Sequence, residues 1–293
     1  MKPRDFALLT LICVAWGLNL PITKWVVETI PPIFYAALRF GGIALVLSPW
    51  LRPIPRPFGI VFAIAMLIGA VHFAFLFMGL ANAPASAAAI VGQLGLPVTT
   101  VLSIWILGEK VRWRRMLGIA LSFIGVMIIA FDPSALGVSV GLVYILISVL
   151  CSSAGAILMK RMAPIRALTL QAWIALLSAP PLLAVSLMLE SGQAAALAAF
   201  DWRLGLALAF SIFVVSIFGH AAYYQLLKRH DVTLLQPLTL MTPVVAVLVG
   251  VTVLGEPLEV QLVVGGLVTL IGVGLVAMRP NASLPGPALS TTR

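Results

Sequence analysis

Ten apolar runs of about twenty residues, joined by connectors too short to hold a domain, constrain this chain more than any motif in it. A bilayer core of about 30 Å is crossed by roughly 20 apolar residues in α-helix. The runs cover residues 5–26, 32–51, 57–80, 84–107, 113–131, 138–159, 168–189, 203–227, 232–254 and 259–278. They do not alternate in polarity as barrel strands would. Only 9% of the 293 residues are charged and the mean hydropathy is +1.15, whereas a soluble domain carries about 25% charged residues. The expected class is an all-α polytopic membrane protein with ten transmembrane helices. The start, Lys2 to Asp5 before an apolar run, is charged like a signal peptide, but no cleavage site leads into a soluble domain, so it reads as the first spanning helix. Cys13 and Cys151 lie inside apolar runs and read as small hydrophobes.

A net charge of +9 is in other contexts a nucleic-acid signature. Here orientation explains it, because lysines and arginines collect in cytoplasmic loops. With the N-terminus inside, fifteen of the 18 basic residues fall on the inner side, Lys24 and Arg203 on the outer, and Arg39 within helix 2. Both termini are expected in the cytoplasm, with a disordered tail over 279–293.

The chain repeats itself. Leu107-Gly108-Glu109 opens a stretch ending at Ala130, and Leu254-Gly255-Glu256 opens another ending at Ala277. At a shift of 147, Gly118 meets Gly265 and Gly125 meets Gly272. Pro97 and Pro243 precede the two glutamates by 12 and 13 residues, and His72 and His220 are 148 apart. Two repeats, 1–131 and 138–278, would each hold five helices, an odd number, and so cross the membrane in opposite senses. The loops agree: the first LGE is followed by Lys110, Arg112, Arg114 and Arg115, the second by no basic residue. Inverted repeats give many secondary transporters two alternate states around a midplane site.

This pattern resembles the EamA type of the drug/metabolite transporter superfamily, within it the branch that exports aromatic amino acids. The resemblance spans residues 5–278 and rests on Ala15-Trp16-Gly17-Leu18-Asn19, Leu38-Arg39-Phe40, Pro97 to Glu109 and Pro243 to Glu256. It implies a cavity lined by helices 1, 3 and 4 from one half and 6, 8 and 9 from the other. Helix 6, with Cys151-Ser152-Ser153-Ala154-Gly155, departs from helix 1 in lacking its Trp and Asn.

Each polar group in hydrocarbon is a candidate for lining a cavity. His72 and His220 either bind substrate and handle protons or are neutral imidazoles satisfied by a neighbouring helix. Asn19 and Trp16 share a face of helix 1, and Pro21 beyond them frees a backbone carbonyl. Phe75, Tyr223 and Tyr224, following the histidines at i+3 and i+4, form an aromatic wall or simply pack. Gln93 and Gln236 serve the site or bridge helices. The candidate binding set is thus Trp16, Asn19, His72, Phe75, Gln93, His220, Tyr223, Tyr224 and Gln236, with Pro21, Pro97 and Pro243 as gating kinks. Arg39 either contacts a substrate carboxylate or, as the favoured expectation, snorkels outward or pairs with Glu28. Glu109 and Glu256 are expected to complement the dipoles of the helices they begin, and Trp173 to face lipid.

All nine acids fall in loops or near helix ends. This demotes cation exchange through an embedded Glu, the device of small four-helix relatives. No intramembrane catalytic constellation, metal cluster or P-loop is present. The expected function is export of small metabolites, neutral and aromatic amino acids foremost, by alternating access in a bacterial inner membrane. No enzyme activity, cofactor, metal or nucleic acid is expected, and the chain would act as a monomer or homodimer. Sugar conjugates, drug-like solutes or a lipid flippase or scramblase role are the alternatives.

Overall fold

The apolar runs fold as helices because a backbone in lipid has no water to bond and satisfies itself within one segment. The computed structural model describes residues 1–108, 111–132, 137–160, 162, 165–227, 229–230 and 232–277. The principal helices are α1 (Pro3–Val27), α2 (Pro32–Val46), α3 (Phe58–Asn82), α4 (Ala85–Leu107), α5 (Trp113–Ala130), α6 (Val140–Lys160), α7 (Ala167–Leu189), α8 (Trp202–Leu227), α9 (Val232–Leu238 with Met241–Thr252) and α10 (Val260–Ala277), with a short helix Gln193–Ala198 between α7 and α8. Eight are long and apolar enough to cross a membrane, whereas α2 and the second part of α9 are apolar but shorter. Among the described residues the only strand is a two-residue antiparallel pair, Phe131–Asp132 with Gly137–Val138. Glu109, the Gln236 side chain and the tail over 279–293 lie outside the described residues.

Breaks and bends fall where the sequence carries chain-disrupting residues. Run 32–51 leaves α-helix at Val46 and closes in a 3-10 turn, Ser48–Leu51, since Pro49 disfavours α geometry at Ser48. α4 is interrupted between Gly92 and Gly95, and α9 between Leu238 and Met241. Pro97 and Pro243 each occupy the third position of the second segment, where a helix has no intrahelical partner for an N–H and proline loses nothing. α3 and α8 are continuous but carry π-helical stretches, Ala65–Val71 and Phe210–Gly219, ending immediately before His72 and His220. Gly108 and Gly255 both have φ of +68°, a left-handed turn for which the missing Cβ suits glycine.

α5 packs along α10, α2 along α7, α3 along α6, and α1 along α8 and the second part of α9. Lipid tails give no hydrophobic gain for helix association, so close backbone approach has to hold such pairs. At the α5–α10 crossing a Cβ on Gly118 would lie 2.8 Å from the Gly272 carbonyl oxygen, and one on Gly125 would lie 2.5 Å from that of Gly265. The order of these contacts makes the two helices antiparallel.

Two glutamates satisfy helix starts. Glu190, after α7, accepts from the N–H groups of Ile33 and Phe34 at 2.8 and 3.0 Å, capping α2. Glu256 accepts from Ala85 and Ser86, the latter at 2.9 Å. Its expected place at the start of α10 is corrected accordingly. The turn at Gly255 folds its carboxylate back onto α4, while α10 begins only at Val260.

Candidate functional site

Between the inner faces of α2, α3, α6, α7 and α8 lies a cavity of about 420 Å³, within the range of small-molecule sites. Arg39, Phe73, Ser216 and His220 line it at mid-helix, and Met159, Met162, Ile165 and Leu227 line it at helix ends. Those ends are the ones neighbouring Lys160, Arg166 and Arg229. At the opposite end Ile30, Ile33, Phe34, Leu80, Ala83 and Leu204 are buried in a single cluster. The cavity therefore extends toward the basic end and is sealed at the other. This lining differs from the set implied by the resemblance: α2 and α7 contribute, while α1, α4 and α9 do not.

The polar groups of the cavity converge on Ser216, held in the π-helical stretch of α8. Arg39 donates to the Ser216 hydroxyl from Nη2 at 2.9 Å and from Nε at 3.3 Å. Gln171 Nε2 donates to the Ser216 carbonyl at 2.8 Å, and His220 Nδ1 lies 2.9 Å from the same oxygen. A carbonyl oxygen only accepts, so His220 Nδ1 carries the proton and Nε2 is the acceptor when the ring is neutral. The His220 side chain is exposed within the cavity, and the Trp16 ring packs behind it at a tilt and against Tyr223 edge-on, at 5.5 and 5.4 Å between centroids. Arg39 itself is only 2% exposed and its charge rests 4.9 Å from the Phe73 ring and 6.0 Å from Phe77.

A model of the EamA-like transporter family matches residues 6–131 and again residues 139–278. The chain belongs to this family. As an EamA-like transporter it is a membrane carrier of the drug/metabolite transporter superfamily and not an enzyme. It is 29% identical over 282 residues to a protein of Salmonella typhimurium described as a probable amino-acid metabolite efflux pump, covering 93% of this chain and 94% of that one. A protein of Escherichia coli K12 with the same description is 27% identical over the same coverage. One solved crystal structure, 20% identical, aligns with a TM-score of 0.63 over 94% of this chain and 96% of that one, which supports the fold alone.

In this EamA-like transporter the residues expected to bind cargo divide into two groups, the Gln236 side chain lying outside the described residues. His220, Tyr223 and Tyr224 line the cavity, with Trp16 directly behind two of them. Asn19, His72, Phe75 and Gln93 do not line it. Asn19 accepts from Ser211 at 2.9 Å, and Ser211 meets the Tyr35 hydroxyl at 3.0 Å, a buried bridge among α1, α2 and α8. His72 Nδ1 lies 3.0 Å from the Ser148 carbonyl and 2.8 Å from its hydroxyl. Phe75 packs on Tyr144, and Gln93 sits at the break in α4. α1 runs through Pro21 without interruption.

Two expectations are overturned by these contacts. Arg39 neither snorkels nor meets Glu28, which lies 4.0 Å from Lys24 instead. Trp173 does not simply face lipid: its Nε1 donates to the Leu51 carbonyl at 3.1 Å and its ring meets Phe58 edge-on, because the 3-10 turn after α2 folds over it. Sequence reasoning also passed over Gln171 and Ser216. Both satisfy the rule already applied to other embedded polar groups, and Ser216 stands one turn before His220 on the same face.

Proposed function

We propose that this transporter exports amino-acid-class metabolites, neutral and aromatic amino acids foremost, by alternating access around the cavity between α2, α3, α6, α7 and α8. Its setting is a bacterial inner membrane with both termini cytoplasmic. The observation that carries the reading is a largely apolar, partly aromatic chamber, polar only around Ser216, that extends toward the basic end and is sealed opposite. With basic residues marking the cytoplasm, the cavity faces the compartment from which an exporter loads. The descriptions of the two enterobacterial relatives as amino-acid metabolite efflux pumps favour the cargo class.

Ten crossings in two inverted halves belong to the same proposal, with α2 and the two parts of α9 completing the set. Several features support it. Pro97 and Pro243 hold the same helical position after matching breaks, and both π-helical stretches end at a histidine. Gly108 and Gly255 share one φ value. The crossing of α5 and α10 is the strongest: exchanging Gly118 with Gly265 and Gly125 with Gly272 converts one observed contact into the other. The packing of α3 on α6 and of α8 on α1 is likewise interchanged by swapping halves. One chain builds the whole cavity, so a monomer suffices.

The test is counterflow in proteoliposomes preloaded with unlabelled amino acids, with a labelled panel outside. Accumulation of neutral and aromatic amino acids above protein-free vesicles is expected. Absence of counterflow for every amino acid rejects the cargo class.

A further inference from the structure

The cavity wall contains a charge without a counter-charge. Arg39 is among the most buried large side chains described, at 2% exposure. Its Nη1 has no hydrogen-bond partner, and no Asp or Glu lies within ion-pair distance of it among the described residues. Ser216 satisfies Nε and Nη2, and two aromatic rings provide cation–π contact. Neither neutralises a guanidinium, which stays charged in any protein. A buried cation normally brings its own anion, and this one reaches a chamber large enough for a small solute. Conversely, no acidic side chain lines the chamber among the described residues. An entering ammonium would meet only neutral acceptors such as His220 Nε2 and aromatic faces.

We propose, resting on the functional reading above, that Arg39 anchors the free carboxylate of the cargo, and that this carboxylate is the one charge the cavity selects for. The ammonium group is then dispensable. Carboxylic acids with an apolar or aromatic body bind as well as the matching amino acids, and amides of those amino acids bind far more weakly. Nη1 is closed off within the wall, so a carboxylate in the chamber draws the Arg39 head group toward it into a charge-assisted bond, and its hydrocarbon body lies along Phe73, Ile68 and Met159.

The experiment is competition against labelled phenylalanine on the detergent-solubilised, full-length protein, which avoids passive permeation of weak acids. The competitors are 3-phenylpropionate and phenylalanine amide, with chloride and phosphate as inorganic arms. 3-Phenylpropionate is expected to compete within about threefold of phenylalanine. The amide is expected to fall short by about 10- to 100-fold, the worth of a hydrogen bond to a charged partner. Arg39→Met should lose acid binding, and Arg39→Lys should recover part of it. Should Arg39→Met fail to fold, the comparison on the wild-type protein decides alone. Equal competition by acid and amide overturns the anchor but leaves transport intact. Failure of 3-phenylpropionate where phenylalanine succeeds overturns the selection for carboxylate alone. Inorganic anions that stabilise the protein against heat without carboxylates competing also overturn it. If no acid of the panel binds, the proposal falls, and absent counterflow of amino acids in the preceding assay shows whether the cargo class falls with it.

Discussion

Alanine at the four glycines of the α5–α10 crossing tests the packing and the repeat together. A Cβ on Gly272 would lie 2.5 Å from the Ser122 nitrogen and 2.6 Å from the Gly118 carbonyl oxygen, and one on Gly265 would lie 2.6 Å from the Gly125 oxygen. These neighbours are backbone, so no side chain can swing away and the helices must separate. Overpacking of this kind costs about 1–3 kcal/mol per site, or roughly 2–4 °C of melting temperature per kcal/mol in a chain this large. The informative quantity is the coupling. Gly118 and Gly272 share one contact, so once Gly118→Ala has parted the helices there, Gly272→Ala should cost distinctly less than it does alone. Gly118 and Gly265 belong to different contacts about seven residues apart along the crossing, roughly 10 Å, and their double variant should be additive within about 0.5 kcal/mol. The assay is thermal unfolding in one detergent at a fixed scan rate, since membrane-protein unfolding is commonly irreversible. Additivity for Gly118 with Gly272, or coupling for Gly118 with Gly265, would refute the antiparallel crossing and with it the exchange of contacts between halves.

Glu256→Ala removes the acceptor for two helix-start N–H groups of α4 and should lower stability by about 2 kcal/mol, read as a drop in melting temperature with the affinity for labelled cargo unchanged; a loss of affinity at unchanged stability would refute the structural role. In a background with Cys13 and Cys151 replaced, Met162→Cys should react with a membrane-impermeant maleimide applied from the cytoplasmic side, and Ile30→Cys from neither side in this state. Rapid labelling of Ile30→Cys from the periplasmic side would contradict the sealed end.

Much of the fold was legible because lipid leaves a backbone few options: apolar runs became helices, and Pro49, Gly108 and Gly255 mark where they stop or turn. The proposed repeat rests on the same punctuation, the glycines and prolines matched between 1–131 and 138–278. The site was half visible. A polar side chain in hydrocarbon is satisfied either by cargo or by another helix, and sequence does not say which. His220 faces the cavity, whereas Asn19 is taken up by Ser211, which also meets Tyr35. Arg39 was misread because a long side chain seven residues into a helix has the reach to snorkel. Only the third dimension brings Ser216, Phe73 and Phe77 around its head group.

The same asymmetry predicts the other transport state. If the halves exchange roles during transport, as inverted repeats do, helices lining the present cavity are replaced by their mates, and α1 joins where α6 leaves. A shift of 148 residues carries Tyr223 to Phe75 and His220 to His72, both off the cavity here. These two should line the outward-facing chamber, with His72 released from Ser148. Arg39 has no such mate, because α7 carries no basic residue within its span. On that exchange one guanidinium would serve both states, with the walls moving around it. With both native cysteines replaced, Phe75→Cys should be modified by an impermeant maleimide from the periplasmic side, faster during turnover than at rest. Tyr223→Cys should be modified from the cytoplasmic side. Modification of Phe75→Cys from the cytoplasmic side would mean that the halves do not trade places.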